Sequence, residues 1–231
     1  MSDWISFYDF KHSVIYVNAR HRDVHYRTIA TDLRAYVPSP TANVLDYGCG
    51  EATSADLVAA ASGHLSLVEA APNVRASLKG RYENNPKISV LTPDEAATKP
   101  AASFDLIVMH SVAQYLSAAE LERVLKIFRR LVKPDGLVIV GDIVPARFAA
   151  PYAALALLRF AIANGFFWAA VGGLMRIFVS DYLRLKNTIG LSHYDEPQML
   201  AKLKAAGFAA QRAPRNIGHN QRRMTFLARP A

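Results

Sequence analysis

Short apolar runs alternate with stretches of helical period along most of this chain. NVLDY (43–47), LSLVE (65–69), ISVL (88–91), FDLIVM (104–109) and LVIVG (137–141) are dominated by Val, Ile and Leu, the pattern of strands buried on both faces. Between them, TSADLVAAAS, APNVRASLKGRYE and SAAELERVLKIFRRLV space their apolar residues as amphipathic helices do, and Lys133-Pro134-Asp135-Gly136 stops the last of them. Strands separated by helices predict a doubly wound α/β sandwich with a mostly parallel sheet. After Asp142 the pattern changes to an apolar, helix-compatible insertion that runs to about Leu191. EPQMLAKLKAAGF then returns to an amphipathic helix ending at Gly207, and FAAQRA and RMTFLA add two strands as a hairpin-like pair, making seven in all. Ahead of the first strand, an aromatic-rich helical segment ends before Pro38 and is expected to cover that strand's mouth.

These elements make one domain over residues 1–231: an N-terminal helical cover (1–40), a core (41–145), a helical insertion (146–192), and a closing helix with strands (193–231). With 231 residues, 52% of them hydrophobic, the chain can bury a sizeable core. It has no 20–50 residue repeat and no low-complexity tract, which excludes solenoid and disordered classes. The single cysteine, Cys49, has no internal disulfide partner, and MSDWISFYDFK lacks a basic segment followed by an apolar one. A reducing cytoplasm is the expected compartment. The net charge of +8 is unevenly spread: residues 1–145 carry 15 Lys and Arg against 16 Asp and Glu, whereas 146–231 carry 12 against 3. This basic third raises nucleic acid, an anionic membrane surface or an acidic substrate as partners. Its longest uncharged run, Phe160 to Met175, is 16 residues, short of the roughly 20 that a membrane-spanning helix needs.

The chemistry-bearing stretch is the turn after the first strand, LDYGCGEAT. Glycines placed there let the backbone approach a ligand at the carboxyl end of the sheet. A dinucleotide fingerprint needs a third glycine where Thr53 stands, and Asp46 sits badly beside a pyrophosphate but well beside an ammonium or water. Glu69 ends the second strand, 21 residues after Gly48, where a carboxylate can accept both hydroxyls of a ribose. A nucleoside without a phosphate cradle points to S-adenosylmethionine.

VLDYGCGEAT, LVEAAP, SFDLIVMHSVAQYL, LVKPDGLVIVGD and KLKAAGF occur in the order found in the class I S-adenosylmethionine-dependent methyltransferases, and in these pieces the chain resembles that family over roughly residues 40–145 and 195–228. The resemblance implies the class I fold, with its doubly wound, seven-stranded, mostly parallel sheet. It further implies that Asp46, Gly48, Cys49 and Gly50 line the methionine part of the cofactor and that Glu69, with Ala70 beside it, holds the ribose. Asp94 or Glu95 would lie near the adenine, although TPDEAA offers two carboxylates where the family has one. The segment from His110 and Ser111 to Gln114 would pass the methionine moiety.

His110 and His193 are the histidines expected on the reactive side, each a candidate for orienting or deprotonating an acceptor; packing at a strand end competes for His110, and capping around Ser192 or Asp195 competes for His193 and Tyr194. His21 and His25 share a helix face, as in a two-histidine metal clip, yet no third ligand is evident, so no metal is expected and an aromatic-lined face with Tyr16 and Tyr26 is. Cys49 reads as a buried structural thiol and His219 as a surface loop residue.

The insertion resembles the variable lid of small-molecule methyltransferases. Its apolar residues, with Arg159, Arg176, Arg184 and Lys186, suit a small, partly apolar acceptor bearing an anionic group, lipid- or quinone-like, methylated on oxygen or nitrogen. Phe160, Phe166, Phe167 and Trp168 form a cluster too apolar to leave uncovered, which raises a membrane surface or a second copy as its cover. Two rivals stand beside this reading: an RNA methyltransferase with the basic third as its phosphate track, although nucleic acid is not the expected partner, and a non-catalytic docking or dimerisation module of the same fold.

Overall fold

The computed structural model describes residues 4–6, 9, 16–146, 150–177 and 192–231. Helix α1 (Ala19–Arg34) precedes β1 (Asn43–Tyr47), α2 (Ala55–Ala61), β2 (His64–Val68), α3 (Pro72–Tyr82), β3 (Ile88–Leu91), α4 (Pro93–Ala97), β4 (Phe104–His110), α5 (Ala118–Leu131) and β5 (Val132–Ile143). Then come α6 (Ala150–Asn164), α7 (Phe167–Ile177), α8 (Glu196–Ala205), β6 (Phe208–Arg212) and β7 (Met224–Pro230). The sheet has seven strands in the order β3-β2-β1-β4-β5-β7-β6. The first five are parallel, and β7 runs antiparallel to both β5 and β6.

Alternation along the strands feeds two cores. Leu45, Ile107, Met109, Val138 and Val140 face one side, against Leu121, Leu125 and Phe128 of α5 and Met199 and Leu203 of α8. Val44, Leu106, Val108 and Ile139 face the other, with Ala30 and Leu33 of α1, Val58 of α2, and Val74 and Leu78 of α3. Each strand therefore contributes to both layers, which is why its sequence reads as nearly unbroken apolar. In α5 the buried positions Leu121, Val124, Leu125, Phe128 and Leu131 recur at helical spacing, and Ser117 opens the helix with a capping box to Glu120. A smaller core of Ala161, Phe166 and Ala170, with Val17 and Phe160 packed on it, joins α6 and α7 to the start of α1.

β2 lies one residue earlier than its sequence pattern and β4 runs one residue longer, and the largest difference is at the start of β5. Extended backbone begins at Val132 rather than Leu137, running through Pro134-Asp135-Gly136, and the pairing jumps from Phe104↔Val132 to Leu106↔Leu137. The residues between these pairs bulge out; a side chain at Gly136 would meet Val132 Cγ2 at 2.6 Å and Asp105 O at 3.0 Å. A turn signal here marks an irregular strand entrance. In the N-terminal cover the helix occupies 19–34, and residues 7, 8 and 10–15 of that expected segment lie outside the described residues. No helix among the described residues is long and apolar enough to cross a membrane.

Candidate active site

Parallel register brings the carboxyl ends of the central strands to one edge: Tyr47 pairs with Val68, Val68 with Leu91, and His110 with Gly141. Directly beyond that edge lies a cavity of about 1190 Å³. It exceeds the ~300–1,000 Å³ of a typical small-ligand site, so two ligands can share it.

Its donor end is built from the first two strand–helix turns. Gly48 (φ +74°) and Gly50 (φ +59°) both take the left-handed conformation that glycine adopts without penalty. A side chain at Gly48 would lie 2.4 Å from Val112 Cγ2, and one at Gly50 would lie 2.6 Å from Tyr26 Oη. Glu69 braces this loop. Its Oε2 accepts the Gly50 N–H at 2.9 Å and its Oε1 accepts the Ala71 N–H at 2.8 Å. The sequence reading gave Glu69 to the ribose alone; the structure gives its carboxylate a structural duty as well, leaving one lone-pair direction on each oxygen for a ligand. Burial pushes its pKa up, against those same backbone hydrogen bonds.

Asp46 also lines the cavity, where burial and then the charge of Glu69 push its carboxyl up to about 7. Such a group is returned to its charged form by a cation placed beside it. The side-chain carbonyl of Gln114, buried on the cavity wall, has no hydrogen-bond partner among the described residues. A half-buried carboxylate short of positive charge and a carbonyl short of a donor fit the ammonium of a bound amino acid group, and Glu69 fits a ribose diol; the site therefore suits S-adenosylmethionine.

Ala70, Asp94, His110 and Ser111 line the same cavity, as does Cys49, whose thiol is buried and pushed well up by that burial. Glu95 is not brought to it. Its side chain turns back to the Thr92 N–H at 2.6 Å while Thr92 Oγ1 accepts the Glu95 N–H, a capping box that opens α4. Thr92-Pro93-Asp94-Glu95 carries that signature in the sequence, and Asp94 is the carboxylate left facing the site.

The other end of the cavity is a chamber of rings. Helix α1, whose N-cap Asn18 accepts the His21 N–H at 2.8 Å, contributes His21, His25 and Tyr26. Tyr26 Oη accepts the Glu51 N–H at 2.9 Å, fastening α1 to the glycine loop, and Tyr16 donates to it at 3.1 Å. His21 stacks on Phe166 (centroids 5.1 Å apart), and His219 stacks on Phe160 (4.4 Å). His219 is thus a half-buried wall residue of the cavity and not the surface loop residue expected from its polar neighbours; Ile217 and Gly218 turn it inward. Burial, then the neighbouring imidazole of His219, lowers His21 to about 4 and His25 to about 3. These rings are neutral at physiological pH, and among the described residues no group of three His, Cys, Asp or Glu is placed to hold a metal.

At the ends of β4 and β5, His110 is buried with Nε2 3.1 Å from Ile217 O, and Ser111 donates to Asp142 Oδ2 at 2.6 Å. Arg223 pairs with the same carboxylate oxygen. His193 stands exposed at the cavity mouth, and the N-cap of α8 is Asp195, one of the two candidates expected, whose N–H donates to Gln198 Oε1 at 2.9 Å. Tyr194 turns into the core.

Pro151, Ala153, Ala154 and Leu157 of α6 and Leu174 of α7 close the chamber from above. Of the expected aromatic cluster, Phe166 is buried and Phe160 and Phe167 are half-buried, while Trp168 is 81% exposed. Arg159 is exposed and lines nothing in the cavity, so it does not supply the anion contact read from the sequence; the side chains of Arg176, Arg184 and Lys186 lie outside the described residues. Asp142 and Arg223 are not among the residues expected from the sequence, and Tyr26 is expected there only as part of an aromatic-lined face, not as the fastener of the glycine loop. Asp142 had a signal, an acid closing an apolar strand in LVIVGD, whereas Tyr26 and Arg223 reach the site only through folding.

Residues 44–136 match the family model of a methyltransferase domain. No curated protein sequence matches the chain. Among solved structures it is similar to the Burkholderia thailandensis 1,6-didemethyltoxoflavin-N1-methyltransferase with bound 1,6-didemethyltoxoflavin and S-adenosylhomocysteine (19% identity, 100% of this chain and 86% of that one, TM-score 0.60). It is similar to the DhpI–S-adenosylhomocysteine complex (13% identity, 98% and 95%, TM-score 0.62) and to the [4+2]-cyclase SpnF (17% identity, 84% and 61%, TM-score 0.55). The match to a methyltransferase domain over residues 44–136, the seven-stranded sheet and the glycine loop braced by Glu69 show the class I methyltransferase fold, with a site that suits the methyl donor S-adenosylmethionine.

Proposed function

We propose that the enzyme methylates an oxygen or nitrogen of a small, partly apolar acceptor, lipid- or quinone-like, in the cytoplasm. The observation that carries this reading is the single cavity in which the glycine loop and Glu69 share space with His21, His25 and His219, the last stacked on Phe160, beneath α6 and α7. A chamber of neutral imidazoles and aromatic rings favours an uncharged, planar or apolar body over a polyanion. The similar toxoflavin-pathway enzyme, solved with a small heterocycle bound, agrees with an acceptor of this size.

Bound S-adenosylmethionine supplies a methyl group on a sulfonium for in-line transfer. The chain's part is to hold and align: Glu69 and the Gly48–Gly50 turn fix the donor, Asp46 and Gln114 face its amino acid end, and the ring chamber fixes the acceptor. Positioning of this kind supplies up to ~7–11 kcal/mol of a barrier in well-oriented systems. His110 and His193 are the histidines proposed to handle the acceptor. The whole chain acts as one catalytic unit, with 146–192 as its lid.

The outer face of that lid suggests where the acceptor comes from. Tyr152, Leu155 and Ile162 on α6, and Trp168 and Met175 on α7, are exposed, at 44–81%. We place this face against the inner surface of a membrane, with a second copy of the chain as the alternative cover. The test is transfer of labelled methyl from S-adenosylmethionine in crude extract. Label in the organic-soluble, low-mass fraction is expected; label confined to RNA would replace this reading with the nucleic-acid one.

A further inference from the structure

His110, Ser111 and Asp142 form a hydrogen-bonded row across the ends of β4 and β5, and its protons can be counted. His110 Nε2 lies 3.1 Å from the carbonyl oxygen of Ile217, which only accepts, so Nε2 carries a hydrogen. On the other side of the ring, Nδ1 lies 3.1 Å from Ser111 Oγ, and that oxygen lies 2.6 Å from Asp142 Oδ2. The serine has one hydrogen for these two contacts. With a neutral ring and an ionised carboxylate the row is one proton short: either the Nδ1 lone pair or the Asp142 oxygen faces Ser111 Oγ with nothing between them. One added proton turns both contacts into hydrogen bonds, as imidazolium–serine–carboxylate or as imidazole–serine–carboxylic acid.

The surroundings hold this arrangement in place. Ser111 (φ +60°) and Asp142 (φ +63°) are both non-glycine residues in the left-handed region, next to each other across the sheet edge. Strain of that kind persists where surrounding contacts over-determine it, and it clusters at functional sites. Asn216 donates to Asp142 Oδ1 at 3.3 Å and accepts the Asp142 N–H at 3.3 Å, while Arg223 pairs with Oδ2. Gly141 leaves room for the imidazole; a side chain there would lie 2.7 Å from His110 Cδ2. All three members of the row line the cavity shared with the donor loop.

We propose that the His110–Ser111–Asp142 row receives the proton that the acceptor loses on methylation, an inference that rests on the methyltransferase reading above. The acceptor's lone pair forms the bond to the methyl carbon, the carbon–sulfur electron pair stays on sulfur, and the O–H or N–H proton passes to Asp142 Oδ2 as the serine hydrogen swings to His110 Nδ1. No oxidant or metal is required. Burial lowers the pKa of His110, and Arg223 holds Asp142 low despite its burial, so the resting row is the proton-poor one. The other charged or titratable groups that act on the row are Asp32, His25 and His219. The first raises His110, and the imidazoles oppose further protonation nearby.

The experiment is nitrogen and carbon NMR of the labelled full-length protein across pH 5–8.5, beside the Ser111→Gly variant. That variant deletes the hydroxyl and relieves the left-handed backbone, so it is expected to fold. In the wild type, His110 should be the Nε2–H tautomer at high pH, and on acidification the His110 Nδ1 signal and the Asp142 carboxyl carbon should shift together. In the variant the two signals should separate. A wild-type His110 protonated on Nδ1 and bare on Nε2, or His110 and Asp142 signals that move independently with the serine present, would overturn the proposal. Calorimetry of the wild type with S-adenosylhomocysteine tests the underlying methyltransferase reading separately: a row that behaves as stated in a protein that ignores this probe sinks that reading, and with it the row's role in methylation, while leaving the coupled protonation of His110 and Asp142 in place.

Discussion

The carboxylate of Glu69 accepts the backbone N–H of Gly50 at 2.9 Å, so the residue proposed to hold the ribose also sets the shape of the loop proposed to meet the methionine. One side chain just past the end of β2 thus braces the turn that follows β1.

Replacing Glu69 by Ala should weaken S-adenosylhomocysteine binding by more than the loss of ribose contacts alone. A hydrogen bond to a charged group contributes ~1.5–3 kcal/mol, and this carboxylate makes two to the protein before any to a ligand. Glu69→Gln should be nearly as damaging, because its NH2 group would face one of two N–H donors. Calorimetry should show at least a tenfold loss for both variants. A Gln variant that binds as the wild type does would show that the loop does not depend on the carboxylate.

Asp46 makes opposite demands on stability and binding. Its folded pKa of about 7 stands above the ordinary 3.8. The stability this group contributes is therefore fully present below about pH 4 and is lost as pH rises to about 7, because the folded state prefers the protonated form. Asp46→Asn should melt higher than the wild type at pH 8 and bind S-adenosylhomocysteine more weakly. A variant that melts lower at pH 8 would contradict the burial argument.

The imidazoles of α1 act in the other pH direction. His21 and His25 fall to about 4 and about 3 from the ordinary 6.5, so their stabilising contribution is present above pH 6.5 and is lost as pH falls through the folded values. Melting temperature should drop between pH 6.5 and 4, and less steeply in His25→Phe. Equal pH slopes in the two proteins would remove His25 from the account.

Gly48→Ala confronts both a left-handed backbone, which costs ~1–2 kcal/mol for an L-residue, and Val112 Cγ2 at 2.4 Å. Donor binding should fall at least tenfold by calorimetry. Adding Val112→Ala should restore only the part due to the clash. Full restoration would show that the φ requirement is not what selects glycine.

The exposed lid face predicts a contact. Trp168 and Ile162 are 81% and 66% exposed, and residues 146–231 carry nine more basic than acidic groups. Co-sedimentation with anionic vesicles should occur at low salt, fade as salt rises, and be reduced in Trp168→Glu. Self-association without lipid, indifferent to salt, would assign the face to a second copy.

Much of this was legible in the sequence because it was local. NVLDY and ISVL are strands over the residues their patterns marked, and Gly48 with Gly50 announced the turn. Glu95 was misread because a capping signature and a binding carboxylate look alike until the helix forms. His219 was misread for the opposite reason: its polar neighbours describe the loop, while its ring is placed by Phe160, 59 residues earlier in the chain. The Asp142–Arg223 pair joins β5 to the loop before β7, a proximity set by the sheet order alone.

Parallel calorimetric titrations of the purified protein with S-adenosylhomocysteine and with NAD test the central claim most directly. The account predicts micromolar binding of S-adenosylhomocysteine, lost in Gly48→Ala, and little or no heat with NAD, since the loop offers neither a third glycine at Thr53 nor a cation for a pyrophosphate beside Asp46. Tight NAD binding by a protein indifferent to S-adenosylhomocysteine would contradict it.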